Sequence, residues 1–463
     1  MREEEALRQW TRSEARRNNG LRNYFLTMAT TKKFLQYAVT ATVILLLSGL
    51  AGWYFFLNKQ GQSITATDAG RGLDSAPPSF GDSTGSTYSN VASGPGATSA
   101  GETGKPAPRL WHVTRTPVAG MGFVDAGSGT GASAAASSSP QLYFAERGTG
   151  YILKADAVTG SLTRLTNKLF ARTYEAAFDS LGDVVLRGVD DGGNITSFAG
   201  NAPGQSAASS SSASPGATAL SGRYLQSNIR AVVPDRKTKE LLLLVPGAAG
   251  GSDIVLSSWD GFKQKTVFSS PLAGWKLFSL ADGRVFLSLL PADDTAGYAF
   301  EIQNGALVPR MRNIPGLTFL PQSSSNAALF GQSTGGDVSL FFSPEDGAEA
   351  VYLPIRTVAD KCVWAPAPPK ATQGKPGNLI AYCAVPDVFV TGNFLTDWYM
   401  GAVHTSDTWW RIDADTGKVT PLLDGDTENR FDVENPVIDS TGEHIAFMDA
   451  GDKTLWLLRI NGK

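Results

Sequence analysis

Two cysteines, three histidines and one aromatic-rich stretch are the places in this 463-residue chain where residue type and spacing invite a chemical reading. Cys362 and Cys383 stand in runs that read as neighbouring strands, about 20 residues apart, so a disulfide is expected, and closing that loop contributes about 3 kcal/mol through the unfolded state. Two thiols without a nearby His are too few ligands for zinc, and no metal site is expected. Gly331-Gln332-Ser333-Thr334-Gly335 matches the nucleophile-elbow pattern, but that motif needs a strand-to-helix turn and a partner His. Here it lies between two strand runs and reads as a hairpin turn. Gly127-Ser128-Gly129-Thr130-Gly131 has no following helix to hold a dinucleotide and reads as low-complexity sequence. The acidic pairs Asp190-Asp191 and Asp293-Asp294 lack the ligand spacing of a calcium loop and read as solvated turns. No catalytic residue and no cofactor is assigned.

The aromatic stretch runs from Pro386 to Asp407 and into the strand beyond it. It carries Phe389, Phe394, Asp397, Trp398, Tyr399, His404 and Asp407, with Trp409 and Trp410 following. Rigid rings beside a few polar groups suit the face of a sugar or an extended peptide, because they supply contact area at low entropy cost. Phe394, Asp397, Trp398, Tyr399, His404 and Asp407 are therefore the candidate binding residues. The competing reading packs these rings over the sheet as core, and Trp409 and Trp410, on an expected strand, are the most suited to it.

The elements that must position these residues are strands. From Pro108 to Lys463, short runs of Val, Ile, Leu, Phe and Tyr alternate with Gly, Asp, Asn and Ser turns, an all-β signature. Two segments, 152–165 and 409–422, align without gaps as strand, Asp-x-x-Thr-Gly turn, strand: Asp156-Ala157-Val158-Thr159-Gly160 and Asp413-Ala414-Asp415-Thr416-Gly417. The Gly supplies a positive φ and the Asp caps the turn. Laid along the domain, the pattern puts first strands near Val118, Tyr174, Ile229, Gly274, Leu317, Lys361 and Phe431. The undisturbed intervals are about 45, 43 and 44 residues, the length of a four-stranded propeller blade. Insertions at Gly127 to Pro140, Ala202 to Ala219 and Pro386 to Asp407 account for the longer ones. A seven-bladed β-propeller is expected, with six or eight blades as the neighbouring solutions. The last unit stops one strand short, and Arg109 to Arg115 precedes the first blade with none of its own, so Leu110 to Thr114 is expected to close the ring.

Upstream of the domain, Phe34 to Leu57 contains no charged residue. As a helix it would span roughly 36 Å, enough to cross a bilayer's hydrocarbon core, and it is longer than the apolar region of a cleaved signal peptide. Arg2, Arg8, Arg12, Arg16, Arg17, Arg22, Lys32 and Lys33 lie before it, and only Lys59 and Arg71 follow before residue 100. The positive-inside rule then places a basic segment, 1–33, in the cytoplasm, and everything past the transmembrane helix, 34–57, outside. Residues 58–107, rich in Gly, Ser, Thr and Pro, read as a disordered linker before the propeller domain, 108–463. Forty Lys and Arg against 43 Asp and Glu, a net charge of −3, exclude nucleic-acid binding by bulk charge.

The strand, Asp-x-x-Thr-Gly, strand units and the closing run Asp439-Ser440-Thr441-Gly442-Glu443-His444-Ile445-Ala446-Phe447 resemble the degenerate WD-repeat-like or TolB-type propellers of bacterial envelopes. Lys361-Cys362-Val363-Trp364, Tyr382-Cys383-Ala384-Val385-Pro386, Asp397-Trp398-Tyr399-Met400-Gly401 and Leu455-Trp456 together are similar to membrane-anchored propeller proteins of candidate-phylum bacteria. The resemblance covers about three quarters of the chain. It implies a fold and a topology, and it transfers no site. The expectation is a single-pass, extracytoplasmic binding or scaffold module that recognises an envelope protein or glycan. The alternatives are an exported propeller hydrolase or lyase with a site at the central channel, and an accessory factor for a surface assembly.

Overall fold

The structure is a computed structural model that describes residues 107–125, 141–201, 220–344, 348–366, 378–388, 392–423 and 430–461. The expected transmembrane span 34–57, the linker 58–107 up to residue 106, the low-complexity insertions and Phe389 lie outside these. Among the described residues no helix is long and apolar enough to cross a membrane.

Among the described residues twenty-eight strands form seven four-stranded antiparallel sheets, six of them meanders and the last completed by the first strand of the domain. The first strands of the seven blades are β2 (Val118–Val124), β6 (Thr173–Phe178), β10 (Ala231–Pro234), β14 (Trp275–Ser279), β18 (Thr318–Pro321), β22 (Cys362–Trp364) and β26 (Val433–Ile438). First strands of neighbouring blades touch one another, β2 with β6 and β22 with β26 for example, so they are the innermost strands of a ring. Gly120 is where this crowding is most severe: a Cβ there would stand 2.0 Å from the Ala176 carbonyl oxygen of the next blade. Only glycine fits.

The ring closes as expected. β1 (Leu110–His112) pairs antiparallel with β28 (Leu455–Arg459), Leu110 opposite Leu458 and His112 opposite Trp456, and so completes the last blade. The imidazole of His112 stacks on the Trp456 ring with centroids 4.1 Å apart. Between blades, alternating apolar residues from facing sheets form the core, as where Leu142, Phe144 and Leu153 of the first blade meet Ala446, Met448 and Leu457 of the last. Burial of this kind stabilises by roughly 25 cal/mol per Å² of apolar surface and is what holds adjacent sheets face to face.

A turn device recurs between first and second strands. Asp179, Asp235 and Asp439 each accept hydrogen bonds from backbone amides two to five residues on, and Gln322 fills the same role with its Oε1. The Asp-x-x-Thr-Gly turns read from the sequence link third and fourth strands. Asp156 Oδ1 accepts from Val158 and Thr159, Asp413 Oδ1 accepts from Thr416, and Gly160 and Gly417 take φ of 71° and 68°.

The sixth blade carries the disulfide. Cys362 and Cys383 face each other directly across β22 and β23 (Ile380–Pro386), and both are buried. The aromatic insertion leaves this same blade between β23 and β24 (Asp407–Asp413). In a meander the links between second and third strands share one end of the ring with the entries to the first strands. The insertion therefore lies at the end where Lys361 enters β22 and Asp432 enters β26.

Candidate functional site

The insertion folds into one short helix, α1 (Phe394–Tyr399), and a return segment to β24. The stretch is too short to hold a helix unaided, and Asn393 at its start makes no side-chain cap. The cap comes from another blade: the Asp293 carboxylate accepts the amides of Leu395 (3.4 Å) and Thr396 (2.8 Å) together with the Ser333 hydroxyl (2.6 Å). These bonds outweigh the opposing effect of burial and hold Asp293 below the usual carboxylate range. Gly401, at φ 69°, ends the helix with the paired bonds Gly401 to Trp398 and Ala402 to Asp397 of a Schellman motif. Phe394 and Leu395 are buried against Val338 and Val358.

The insertion also rests on a hairpin tip of the fifth blade. β19 (Ala328–Thr334) turns into β20 (Asp337–Ser343) through Gly335-Gly336, with φ of 59° and 78°. A Cβ on Gly336 would meet the Gly392 carbonyl oxygen at 2.1 Å. The nucleophile-elbow pattern is thus a hairpin, with Ser333 bonded to an aspartate rather than a histidine. Asp293, expected as part of a solvated turn, is a clasp. Asp190-Asp191 is the solvated turn it was read as, with the Asp191 side chain almost fully exposed.

Beneath the helix sits a buried ionic cluster. Lys361, wholly buried, directs Nζ to Asp407 Oδ2 (2.5 Å), Asp432 Oδ1 (2.5 Å) and Thr405 Oγ1 (2.8 Å), and Trp398 lies with its ring 4.9 Å from the ammonium. Thr405 Oγ1 is in turn 2.7 Å from Asp407 Oδ1 and 2.9 Å from Asp432 Oδ1. Trp398 Nε1 donates to both oxygens of Asp432, at 2.9 and 3.1 Å, and His404 Nδ1 stands 3.1 Å from Oδ2. The Val433 amide donates to Asp407. Burial pushes the Asp407 carboxyl up, and Lys361 offsets this only in part. Burial acts the same way on Asp432, but Lys361, Trp398 and Thr405 overcome it and hold that carboxyl low. Two carboxylates unlike in this way beside one amine are suited to proton transfer.

A second group lies nearer the axis. Lys276, on innermost strand β14, contacts Asp360, which accepts the Tyr399 hydroxyl at 2.5 Å. Enclosure by protein atoms pulls the Lys276 amine down to about 8, although a third of its side chain still meets solvent. The Tyr399 phenol is pushed up by burial of its hydroxyl.

The candidate binding residues divide accordingly. Tyr399 stays 38% exposed, with Met400 beside it at 68%. His404 is about half exposed, Trp398 and Asp397 are half-buried, and Phe394 and Asp407 are interior. Trp409 is fully buried, and Trp410 packs at the edge of a core cluster. Lys361, Asp432, Asp360 and Lys276 were not legible as site residues, since each lies in or just before an ordinary innermost strand and gains meaning only through partners distant in the sequence. Among the described residues no group of three or more His, Cys, Asp or Glu is arranged to hold a metal ion.

No family model matches the chain, and no curated protein matches its sequence. Solved structures do. The β-propeller domain of the Trilobed protease from Pyrococcus furiosus is 10% identical with a TM-score of 0.43, covering 70% of this chain and 92% of that one. Virginiamycin B lyase from Staphylococcus aureus is 12% identical, TM-score 0.41, covering 76% and 98%. YCF48 from Cyanidioschyzon merolae is 9% identical, TM-score 0.44, covering 76% and 99%. The likeness is one of fold and brings no residue role to this chain.

Proposed function

We propose that this propeller is a binding module held outside the cell by the apolar span 34–57, and that it recognises an envelope glycan or an extended peptide with the surface of the aromatic insertion. The observation that carries this reading is the division of labour within the insertion. Its helix is tied to four blades, by the Thr396 amide to Asp293, by Phe394 and Leu395 against Val338, by the Tyr399 hydroxyl to Asp360 and by Trp398 to Asp432, while the Tyr399 ring, Met400 and His404 face solvent on that fixed platform. A rigid, exposed aromatic edge contributes affinity without an ordering cost. The charge asymmetry about 34–57 and the Cys362–Cys383 bond, which persists in oxidising compartments, support the orientation.

The test is retention of labelled envelope glycans and peptides by intact cells carrying the full chain. Retention above that of cells lacking the chain is expected, and Met400→Asp, a change on an exposed side chain, is expected to weaken it about tenfold. Equal retention by cells with and without the chain, or by the native and substituted chains, would overturn the reading.

A second reading is favoured by one observation. Lys276, with its amine near 8 and Asp360 and Tyr399 beside it, is equipped for proton abstraction at the axial end of the ring. The same library, analysed by mass for turnover rather than retention, separates an enzyme from a binder.

A further inference from the structure

Beneath the binding surface lies an ammonium between two carboxylates, with side-chain exposures of 0% for Lys361, 0% for Asp407 and 2% for Asp432. The cluster carries net negative charge when all three groups are ionised, and among the described residues its hydrogen-bond partners are Thr405, Trp398, His404 and the Val433 amide. Taking such a set of charges out of water is costly, and joining the amine to one of the carboxyls removes two of them. The amine is already at hydrogen-bond distance from the carboxyl of a residue 71 positions away. The geometry points to an intramolecular isopeptide bond between Lys361 and Asp432, formed by the chain on itself, with Asp407 as the proton-transfer residue.

The condensation balances without a co-reactant. Lys361 passes one proton to the Asp432 carboxylate across their 2.5 Å contact, leaving a free amine and a neutral acid. The Nζ lone pair attacks Cγ of Asp432. Charge that develops on Oδ2 is met by Trp398 Nε1 and by His404 Nδ1, each 3.1 Å away. Asp407 Oδ2, 2.5 Å from Nζ, takes the proton that nitrogen sheds. A half-turn of that carboxyl about Cβ–Cγ brings the proton to the Oδ1 position, 2.7 Å from the Thr405 hydroxyl, which passes a proton on to Asp432 Oδ1, 2.9 Å away and the departing oxygen. The Cγ–Oδ1 bond breaks, an N–Cγ amide remains, one water leaves, and Asp407 ends as it began. Holding the reactants in contact replaces a bimolecular encounter, and exclusion of water removes the reverse reactant. The product would join the entry strands of the last two blades, one residue from the disulfide at Cys362.

Intact mass of the purified full chain tests this. The native chain is expected to be lighter by one water than its sequence with one disulfide. After reduction and digestion, a branched peptide joining Lys361 to Asp432 is expected. Asp407→Asn keeps the shape of the site but cannot relay the proton; it is expected at full mass with an unchanged circular dichroism spectrum. Lys361→Arg is expected at full mass as well. A native chain at full mass after prolonged incubation would overturn the inference. So would a water loss that maps elsewhere, as to cyclisation at Asp282-Gly283, or a link from Lys361 to Asp407. An Asp407→Asn chain that still carries the Lys361–Asp432 link would overturn the role given to Asp407.

Discussion

At the scale of single residues, the chain places its buried carboxylates where backbone amides or hydroxyls meet them, and Asp439 shows the energetic sign of that arrangement. Its Oδ1 accepts from the amides of Glu443 (2.8 Å) and His444 (3.3 Å), and its Oδ2 from Thr441, with the His444 ring 2.9 Å away. Burial alone would raise this carboxyl; the His444 ring and the amides overcome it and hold it below the ordinary 3.8. A folded value below the unfolded one contributes stability that is present above 3.8 and lost as pH falls through the folded value. Asp439→Ala is therefore expected to cost about 1–3 kcal/mol near neutrality. Urea unfolding should show the gap from the native chain narrowing as pH drops below 3.8; a gap of constant size would contradict this account.

At the scale of elements, the ring is closed by a short strand. β1 has three residues, all half-buried, and depends on its pairing with β28 and on the His112–Trp456 stack. Burial holds the His112 imidazole below its usual 6.5, with Arg115 acting in the same direction and Asp452 against it. The neutral ring thus stabilises the closure above 6.5, and the contribution is lost as pH falls through the lowered value. Hydrogen exchange of the Val113 and Arg459 amides, which bond Leu455 and Arg109 across this seam, is expected to show less protection at about pH 5 than at about pH 7.5 once intrinsic rates are removed. His112→Phe should abolish that difference. Equal protection at both pH values in the native chain would show that the seam does not respond to His112.

At the scale of the whole molecule, closure decides whether the last blade is complete. A chain beginning at residue 108 keeps β1, whereas one beginning at residue 115 leaves β28 as an unpaired edge. The shorter chain is expected to melt about 5 °C or more below the longer and to associate on concentration, as followed by thermal unfolding and sedimentation. Identical melting and a monomeric short chain would mean that blade packing alone carries the ring.

The architecture was legible because it is written in local, repeated signals. Period-two apolar runs and Asp-x-x-Thr-Gly turns located all seven innermost strands within about two residues, and a missing strand at one end matched a spare strand at the other. The pairing of Cys362 with Cys383 followed from the same strand register. The site was legible only in part. Its aromatic residues are contiguous, so Trp398, Tyr399 and His404 could be named, but whether each ring faces water or core depends on what packs behind it. Asp293 caps α1 from 103 positions away, and Asp432 meets Lys361 from 71. No spacing rule connects residues so distant. Sequence by itself determined the repeat, its count and its closure, because these rest on backbone periodicity and turn chemistry within a few residues. Only the tertiary structure decided which charges are buried together and which side chains the insertion presents to solvent, because those depend on loops from several blades converging at one end of the ring.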